Sequence, residues 1–234
     1  MSIAANIASI HQRIAAAARR AGRNPNEIAM MAVSKTHPPE LIREAYEAGV
    51  RLFGENRVQE FASKIGALRN LPDAEWHMIG HLQTNKAAKT AELFHAVDSV
   101  DSLKLAEKLD AAAQQLSKKV DVLIEINVGG ETAKSGTAPH SGELEGLLLA
   151  APRLEGLQFR GLMTVPPFTE DPQAARPYFR NLRELRDTIA ARKLPGVSMD
   201  ILSMGMSHDF EVAIEEGSTC VRVGTAIFGE RTKT

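Results

Sequence analysis

The chain has 234 residues, of which 44% are hydrophobic, and its formal net charge is −1. This length can bury a substantial core, and the balance of 29 acidic against 28 basic residues gives no charge-based reason to expect a nucleic-acid or anionic-membrane partner. The single cysteine, Cys220, excludes an internal disulfide and a cysteine-based zinc cluster.

The N-terminal segment has the pattern of an amphipathic helix. Residues 3–21 place isoleucines at helical spacing and interleave them with arginines, without the uninterrupted apolar run of a signal peptide. No later apolar stretch is long enough to cross a bilayer. We therefore expect a cytoplasmic protein whose first helix packs on the fold.

Strand and helix patterns then alternate along the chain. The predicted strands are 28–34, 51–53, 76–79, 96–100, 121–127, 158–165, 199–204 and 220–223. The predicted helices after them are 39–48, 57–68, 85–94, 102–116, 143–151, 173–192 and 210–216, with Asp101 as the N-cap of the helix 102–116. No helix is predicted after the eighth strand, and we expect the N-terminal helix to cover that position.

This alternation predicts an α/β fold with a parallel sheet, because neighbouring parallel strands need a crossover connection. Eight strand–helix units in about 230 residues match the size of a closed (β/α)8 TIM-like barrel with an extra N-terminal helix. An open doubly wound sheet is the alternative, but no G-x-G-x-x-G turn follows the first strand. Since the sequence contains no linker or low-complexity segment, we expect residues 1–234 to form a single domain.

Lys35 is the first candidate for chemistry. It closes the first predicted strand, and in a barrel the active site lies at the C-terminal ends of the strands. A lysine held there by the sheet can lose its proton and act as an amine nucleophile toward a carbonyl. The alternative is an ordinary strand-end lysine that extends into water.

The ends of the last two strands resemble a phosphate site. Barrels often bind phosphate at the loops after strands seven and eight, beside the N-terminus of a short helix. Residues 205–207 precede such a helix, so we expect their backbone N–H groups and the Ser207 hydroxyl to face an anion. Gly224 and Thr225 offer further N–H groups, and Gly224 lets a ligand approach the backbone. The alternative is a set of ordinary turn glycines and a helix cap.

Arg222 adds an inward-facing cation. Strand alternation places it on the same side as Gly224. A buried arginine needs an acceptor, which a cofactor ring nitrogen, a carboxylate, or an ion pair with Glu55 or Asp200 would supply. The lysine, the phosphate cradle and the arginine together suggest pyridoxal 5′-phosphate (PLP), with Lys35 forming the Schiff base.

Six sequence blocks then support a family resemblance over nearly the whole chain. They are AVSKT at 32–36, FGENRVQE at 53–60, WHMIGHLQ at 76–83, GLM at 161–163, LSMGMS at 202–207 and GSTCVRVGTAIFG at 217–229. In these blocks the chain closely resembles the pyridoxal phosphate homeostasis protein family, also called the proline-synthase co-transcribed protein family. The resemblance implies a fold-type III PLP barrel, similar to the N-terminal domain of alanine racemases.

The resemblance also implies six cofactor contacts, which are Lys35, Asn56, Ser207, Arg222, Gly224 and Thr225. In this assignment Lys35 forms the Schiff base, Arg222 meets the pyridine nitrogen, Asn56 lies near the ring, and the other three contact the phosphate. Lys134 matches a lysine in the loop after strand five and is a candidate secondary lysine for cofactor exchange. His37 replaces a second lysine that some members carry two positions after Lys35, so the family offers no transfer role for that position here.

These features favour a cofactor carrier in intracellular vitamin B6 homeostasis that buffers or delivers PLP without robust catalysis. A racemase needs a base on each face of the substrate α-carbon. In alanine racemases the second base is a tyrosine from a partner's C-terminal β domain, which we expect this chain to lack because it ends at Thr234. Its two tyrosines, Tyr46 and Tyr178, fall inside predicted helices. The Arg222 guanidinium cannot readily give up a proton, so it would weaken the ring as an electron sink.

Two alternatives remain open. The first is a weak PLP-dependent, racemase-like enzyme acting on an amino acid, with His81 as the second acid or base. The second is a cofactor-free phosphosugar-type barrel enzyme. His77 and His81 lie four residues apart, but no third ligand has a useful spacing, so we expect no metal site. A monomer is expected, with PLP-dependent apo-enzymes as candidate recipients of the cofactor.

Overall fold

The computed structural model describes residues 2–131 and 134–230. Within these ranges eight parallel strands close into a barrel, and their order around the barrel is their order in the chain. The strands are β1 Ala29–Val33, β2 Leu52–Glu55, β3 Glu75–Met78, β4 Ala96–Val100, β5 Val120–Glu125, β6 Leu157–Met163, β7 Val197–Met206 and β8 Cys220–Val223. Because β1 pairs in parallel with β8, the predicted barrel is confirmed and the open sheet is excluded.

Helices surround the strands. They are α1 Ile3–Arg20, α2 Pro39–Glu47, α3 Val58–Lys64, α4 Ala87–Leu93, α5 Leu103–Gln115, α6 Gly142–Ala150, α7 Arg176–Ala191, α8 Phe210–Glu215 and α9 Thr225–Phe228. Most predicted bounds shift by one or two residues. The larger differences arise where predicted helices include short 3-10 turns, at Ile65–Leu68 after α3 and at Pro172–Ala175 before α7. Among the helices in the described ranges, none has the length and apolarity that a membrane crossing requires.

A helical turn follows the eighth strand, where the sequence predicts no helix. α9 starts directly after Gly224, and its four residues are too few to produce a periodic pattern. α1 packs against both α8 and α9, and the side-chain amide of Asn6 donates to the carbonyl of Ile227 at 2.8 Å. The N-terminal helix therefore covers this part of the barrel together with α9.

The N-cap of α5 is Ser102 instead of the predicted Asp101. The Ser102 Oγ accepts a hydrogen bond from the N–H of Leu105 at 3.4 Å, from an extended backbone conformation. Asp101 lies one residue too early for this geometry, and its carboxylate Oδ2 is 3.4 Å from Nδ1 of His81. Both residue types cap helices well, so composition alone does not separate them.

Strand alternation divides the side chains into two layers. Phe53 and Trp76 point outward, where their rings stack with centroids 4.9 Å apart and pack against Phe61 of α3. Phe61 in turn contacts Phe94, so one aromatic cluster joins β2 and β3 to the helix layer. Because all eight strands are parallel, the residues that follow them converge on one rim of the barrel, where the predicted site residues lie.

Candidate functional site

A cavity of about 330 Å³ opens at the C-terminal rim of the barrel. All six predicted contacts line it, namely Lys35, Asn56, Ser207, Arg222, Gly224 and Thr225. The remaining lining residues are Val33, Ile79, Val165, Met206 and His208. The structure therefore brings the amine, the guanidinium and the two strand ends together around one space.

Lys35 is half-buried and directly follows the buried residue Ser34. The Ser34 N–H donates to the carbonyl of Gly54 at 3.0 Å, which continues the β1–β2 pairing up to the lysine. Thr36 then takes a φ of 64°, in the left-handed region that β-branched residues rarely adopt. Lys35 thus stands at an abrupt change of backbone direction, between a sheet-held residue and a strained one.

Ser207 joins the two loops that the sequence assigns to phosphate. Its Oγ accepts hydrogen bonds from the N–H groups of Gly224 at 3.3 Å and Ala226 at 3.4 Å. Ser207 thus ties the backbone after β8 to the residue after β7, and its hydroxyl hydrogen is the group that can donate from this part of the cavity wall. A Cβ on Gly224 would make only ordinary contact with Val33, so packing within the protein does not account for glycine at this position.

The end of β7 contributes fewer free donors than the sequence predicts. The N–H of Met206 donates to Oδ1 of Asp209 at 2.6 Å instead of facing an anion. Gly205 has a φ of 92°, and a Cβ there would lie 2.5 Å from Cβ of Ala213. This glycine is therefore required by its backbone conformation and by its packing on α8.

Arg222 is buried, and its guanidinium is held by Ser203 of β7 and by Thr164, the residue after β6. Nη1 donates to Oγ of Ser203 at 2.7 Å, and Nη2 donates to the carbonyl of Thr164 at 2.7 Å. Burial lowers the pKa of Arg222, partly offset by surrounding acidic groups. These contacts fix the plane of the guanidinium, part of which borders the cavity.

Neither predicted ion-pair partner contacts Arg222. The carboxylate of Glu55 lies 2.7 Å from Nζ of Lys64, and the carboxylate of Asp200 lies 3.8 Å from Arg160. The alternative of a structural ion pair with Glu55 or Asp200 is therefore wrong, because other cations hold both carboxylates.

Lys134 borders a second, neighbouring cavity of about 600 Å³ that shares Asn56, Ile79 and Val165 with the first. The Nζ of Lys134 lies 2.5 Å from a carboxylate oxygen of Glu131. The two residues between them, 132 and 133, lie outside the described ranges. The candidate secondary lysine is thus adjacent to the first cavity and does not line it.

Glu125 also borders this second cavity, at the end of β5. It is a buried carboxyl whose Oε1 accepts a hydrogen bond from Oγ of Ser135 at 3.0 Å. Burial raises its pKa, and the Asp101 carboxylate adds to this effect.

The two histidines considered as metal ligands have separate carboxylate partners. Nδ1 of His77 lies 2.9 Å from Asp98, whereas Nδ1 of His81 lies 3.4 Å from Asp101 and its side chain is mostly exposed. Within residues 2–131 and 134–230, no three metal-ligating side chains form a cluster.

The tyrosines lie away from the rim cavity. Tyr46 belongs to α2, where the guanidinium of Arg51 lies 4.0 Å from its ring centroid, and Tyr178 belongs to α7. Of the described residues that line the cavity, none is a tyrosine.

The sequence interpretation missed Lys64, which lies under the turn that carries Lys35. It is the last residue of α3 and is buried. A signal for this burial exists, since Val58, Phe61 and Lys64 recur at a spacing of three, on one face of the helix. A lysine at such a position is ordinarily assigned to solvent.

The closed parallel barrel, with Lys35 after its first strand and Arg222 on its last, both lining one cavity, assigns the chain to the class of alanine-racemase-type barrels. The family model "Alanine racemase, N-terminal domain" matches residues 5–232. The alanine racemase of Clostridium difficile 630 has the same fold, with a TM-score of 0.74 at 17% identity, over 99% of this chain and 57% of that one.

Closer relatives narrow the class. A pyridoxal phosphate homeostasis protein from Aquifex aeolicus is 47% identical over 231 residues, covering 99% of both chains. The structure of PipY from Synechococcus elongatus PCC7942, solved with PLP bound, superposes with a TM-score of 0.84 at 37% identity, over 97% of this chain and all of that one. The chain therefore belongs to the pyridoxal phosphate homeostasis protein family, and the resemblance inferred from its sequence is confirmed.

Proposed function

We propose that this protein binds PLP through Lys35 and holds it for buffering or delivery in vitamin B6 homeostasis. The observation that carries the proposal is the convergence of Lys35, Arg222 and Ser207 on one cavity of about 330 Å³. Relatives that share the whole length of the chain, among them a protein solved with PLP bound, support it.

The residues present fit the chemical parts of the cofactor. The Ser207 Oγ accepts from the N–H groups of Gly224 and Ala226, and its hydroxyl hydrogen would donate to a phosphate oxygen. Arg222 would donate to the ring nitrogen, and Asn56 would lie near the ring. When bound, PLP supplies an aldehyde that an amine can attack, and Lys35 is the lysine that lines this cavity.

We further propose that the protein does not turn over amino acids efficiently. Arg222 keeps its proton and therefore cannot protonate the ring nitrogen, and its contacts with Ser203 and Thr164 hold it in that role. The alternative, a weak racemase-like enzyme, would rely on His81, which borders the neighbouring cavity and is 60% exposed. An exposed histidine beside a carboxylate gives that alternative a base, but one outside the cofactor cavity.

Several further points stay proposals from the sequence. They are the cytoplasmic location, the monomeric state, the single domain over residues 1–234, PLP-dependent apo-enzymes as recipients, and the role of Lys134 in exchange.

The test is an absorbance spectrum of the protein after incubation with PLP and removal of unbound PLP by gel filtration, before and after borohydride reduction. We expect a visible band that disappears on reduction, with a covalent adduct mapped to Lys35 by mass spectrometry. Lys35→Ala should lose both signals, whereas Lys89→Ala, an exposed lysine of α4 paired with Glu92, should keep them. A protein that retains no band once unbound PLP has been removed would contradict the proposal and favour a cofactor-free barrel.

The carrier and the weak enzyme are separated by α-carbon exchange. Incubation of the loaded protein with amino acids in deuterated solvent should give no exchange above that of free PLP. Exchange that is fast in the parent protein and lost in His81→Gln would show catalysis instead of carriage.

A further inference from the structure

The ammonium group of Lys64 lies beneath the turn that presents Lys35. Its Nζ donates to the carbonyl of Ser34 at 3.1 Å and to the carbonyl of His37 at 3.5 Å. These two carbonyls lie on either side of Lys35 in the chain. The Lys64 ammonium therefore bridges the two ends of the turn, directly after β1 ends.

Two carboxylates balance this buried cation. Oε1 of Glu55 lies 2.7 Å from the Lys64 Nζ, and Oε1 of Glu60 lies 3.0 Å from it. Glu55 is fully buried, and its Oε1 also accepts a hydrogen bond from the Ser34 hydroxyl at 2.6 Å. The network thus holds Ser34 through both its carbonyl and its side chain.

The same network holds the strained residue on the other side of Lys35. Oε1 of Glu60 accepts a hydrogen bond from the N–H of Thr36, whose φ of 64° is unfavourable for a β-branched residue. Strained backbone persists only where the surroundings enforce it. Here Glu60 contacts Thr36 directly, and Lys64 anchors Glu60.

A need for stability alone explains this arrangement poorly. Desolvating an ammonium and two carboxylates offsets much of their attraction, and an apolar group of similar volume often serves packing as well. The Lys64 donors reach the turn at backbone carbonyls on both sides of a single residue. This pattern indicates that Lys64 fixes the geometry of the turn that carries Lys35.

Resting on the proposed function, we propose that Lys64 is a positioning residue that sets the approach of the Lys35 amine to the aldehyde of PLP. In that reaction the unprotonated Lys35 nitrogen forms a double bond to the aldehyde carbon, and the aldehyde oxygen leaves as water with the two hydrogens of the amine. No oxidant or reductant is needed. Lys64 keeps its contacts throughout, and contributes by orientation.

Two ligands separate positioning from folding. PLP can bond to Lys35, whereas pyridoxamine 5′-phosphate has the same ring and phosphate but carries an amine in place of the aldehyde. For Lys64→Met we expect the PLP dissociation constant to rise by about tenfold or more, because orientation contributes only where the bond forms. The dissociation constant of pyridoxamine 5′-phosphate should change by less than about twofold.

The matched control is Lys118→Met. Lys118 is a half-buried lysine that also donates to a backbone carbonyl, that of Phe94 at 3.1 Å, away from the cavity. The Lys118→Met variant should bind both ligands with the affinities of the parent protein. Lys64→Met leaves the buried Glu55 carboxylate without its cation. If this single variant does not fold, the double variant Lys64→Met/Glu55→Gln is measured with both ligands instead.

The outcomes distinguish this inference from the proposed function. Equal losses for both ligands would mean that Lys64 only supports the fold, and would overturn the inference. A Lys64 variant indistinguishable from Lys118→Met, while the parent protein bonds PLP at Lys35, would also overturn it and leave the proposed function intact. A parent protein that fails to bond PLP would remove both.

Discussion

Ser207, in the loop after β7, accepts a hydrogen bond from the N–H of Gly224 at the end of β8, at 3.3 Å. The contact joins the two strand ends that the sequence assigns to a phosphate, and it holds their backbones in register at the cavity wall. Because the Ser207 Oγ accepts this bond, its hydroxyl hydrogen can donate to a phosphate oxygen in the cavity. This relationship leads to the first prediction.

Ser207→Ala should weaken PLP binding about fivefold, close to 1 kcal/mol, because one hydroxyl contact to the phosphate is lost. The same variant should lower the ability of inorganic phosphate to compete with PLP. Titration followed by absorbance measures both effects. Ser141→Ala is the control, since Ser141 Oγ accepts from the N–H of Leu144 at the start of α6, away from the cavity. An unchanged phosphate competition in Ser207→Ala would remove Ser207 from the site.

Arg222→Lys should reduce both stability and cofactor affinity. A lysine cannot reach Ser203 and Thr164 together as the guanidinium fork does. Loss of one buried, charge-assisted hydrogen bond should lower the free energy of unfolding by about 2 kcal/mol. Urea unfolding of the apoprotein measures this, and the absorbance maximum with PLP reports the changed ring environment. Arg160→Lys, at a partly exposed ion pair, should alter neither by a comparable amount.

His77 should make stability fall as the pH rises above neutrality. Burial acts to lower the pKa of His77, but the adjacent Asp98 carboxylate raises it, with help from Glu75 and Asp121, and the net shift is upward from 6.5. The folded state therefore holds a proton that the unfolded chain has already released. The stabilisation is fully present below about pH 6.5 and is lost as the pH rises through the folded-state pKa.

His77→Gln should flatten this part of the pH profile. The measurement is the free energy of unfolding in urea at a series of pH values from about 6 to 9. His11→Gln, on the exposed side of α1, serves as the control and should keep the parent profile. If His77→Gln and the parent protein decline in parallel, the His77–Asp98 pair does not carry the effect.

Glu125→Gln should stabilise the apoprotein at neutral pH. Burial raises the pKa of Glu125 above 4.5, and one of its carboxyl oxygens, Oε2, is buried with no hydrogen-bond partner among the described residues. Ionisation is therefore costly in the folded state. The contribution of the Glu125 proton to stability is fully present below about pH 4.5 and is lost as the pH rises through the raised pKa of Glu125. Thermal unfolding at pH values from about 4 to 7 measures the difference. Glu92→Gln, at an exposed pair, should show no such gain.

The strand ends were predictable because they follow from periodicity alone. Eight alternating units imply a parallel barrel, and a parallel barrel gathers every strand end on one rim. Lys35, Arg222 and Gly224 could therefore be placed together before any distances were known. Their assignment to particular atoms of a cofactor came from the family resemblance and not from the pattern.

The Lys64 network could not be predicted in the same way. Burial of a charged residue depends on partners that the fold brings near: Ser34 lies 30 residues from Lys64 in the chain, and Glu55 belongs to the strand before the helix of Lys64. The Met206 N–H departs from the prediction for a different reason, because its acceptor is a side chain only three residues ahead. Local hydrogen bonds of this kind compete with ligand contacts and leave no periodic signal.

The pairing of β1 with β8 brings together the most distant strands in the chain. Contacts of such long sequence separation carry the largest loop-closure cost during folding. Lys35 follows β1, and Gly224 and Thr225 follow β8, so a ligand bonded to the lysine and held by its phosphate would span this junction. A bound ligand would then stabilise the pairing of β1 with β8 and slow the exchange of their amide hydrogens with solvent.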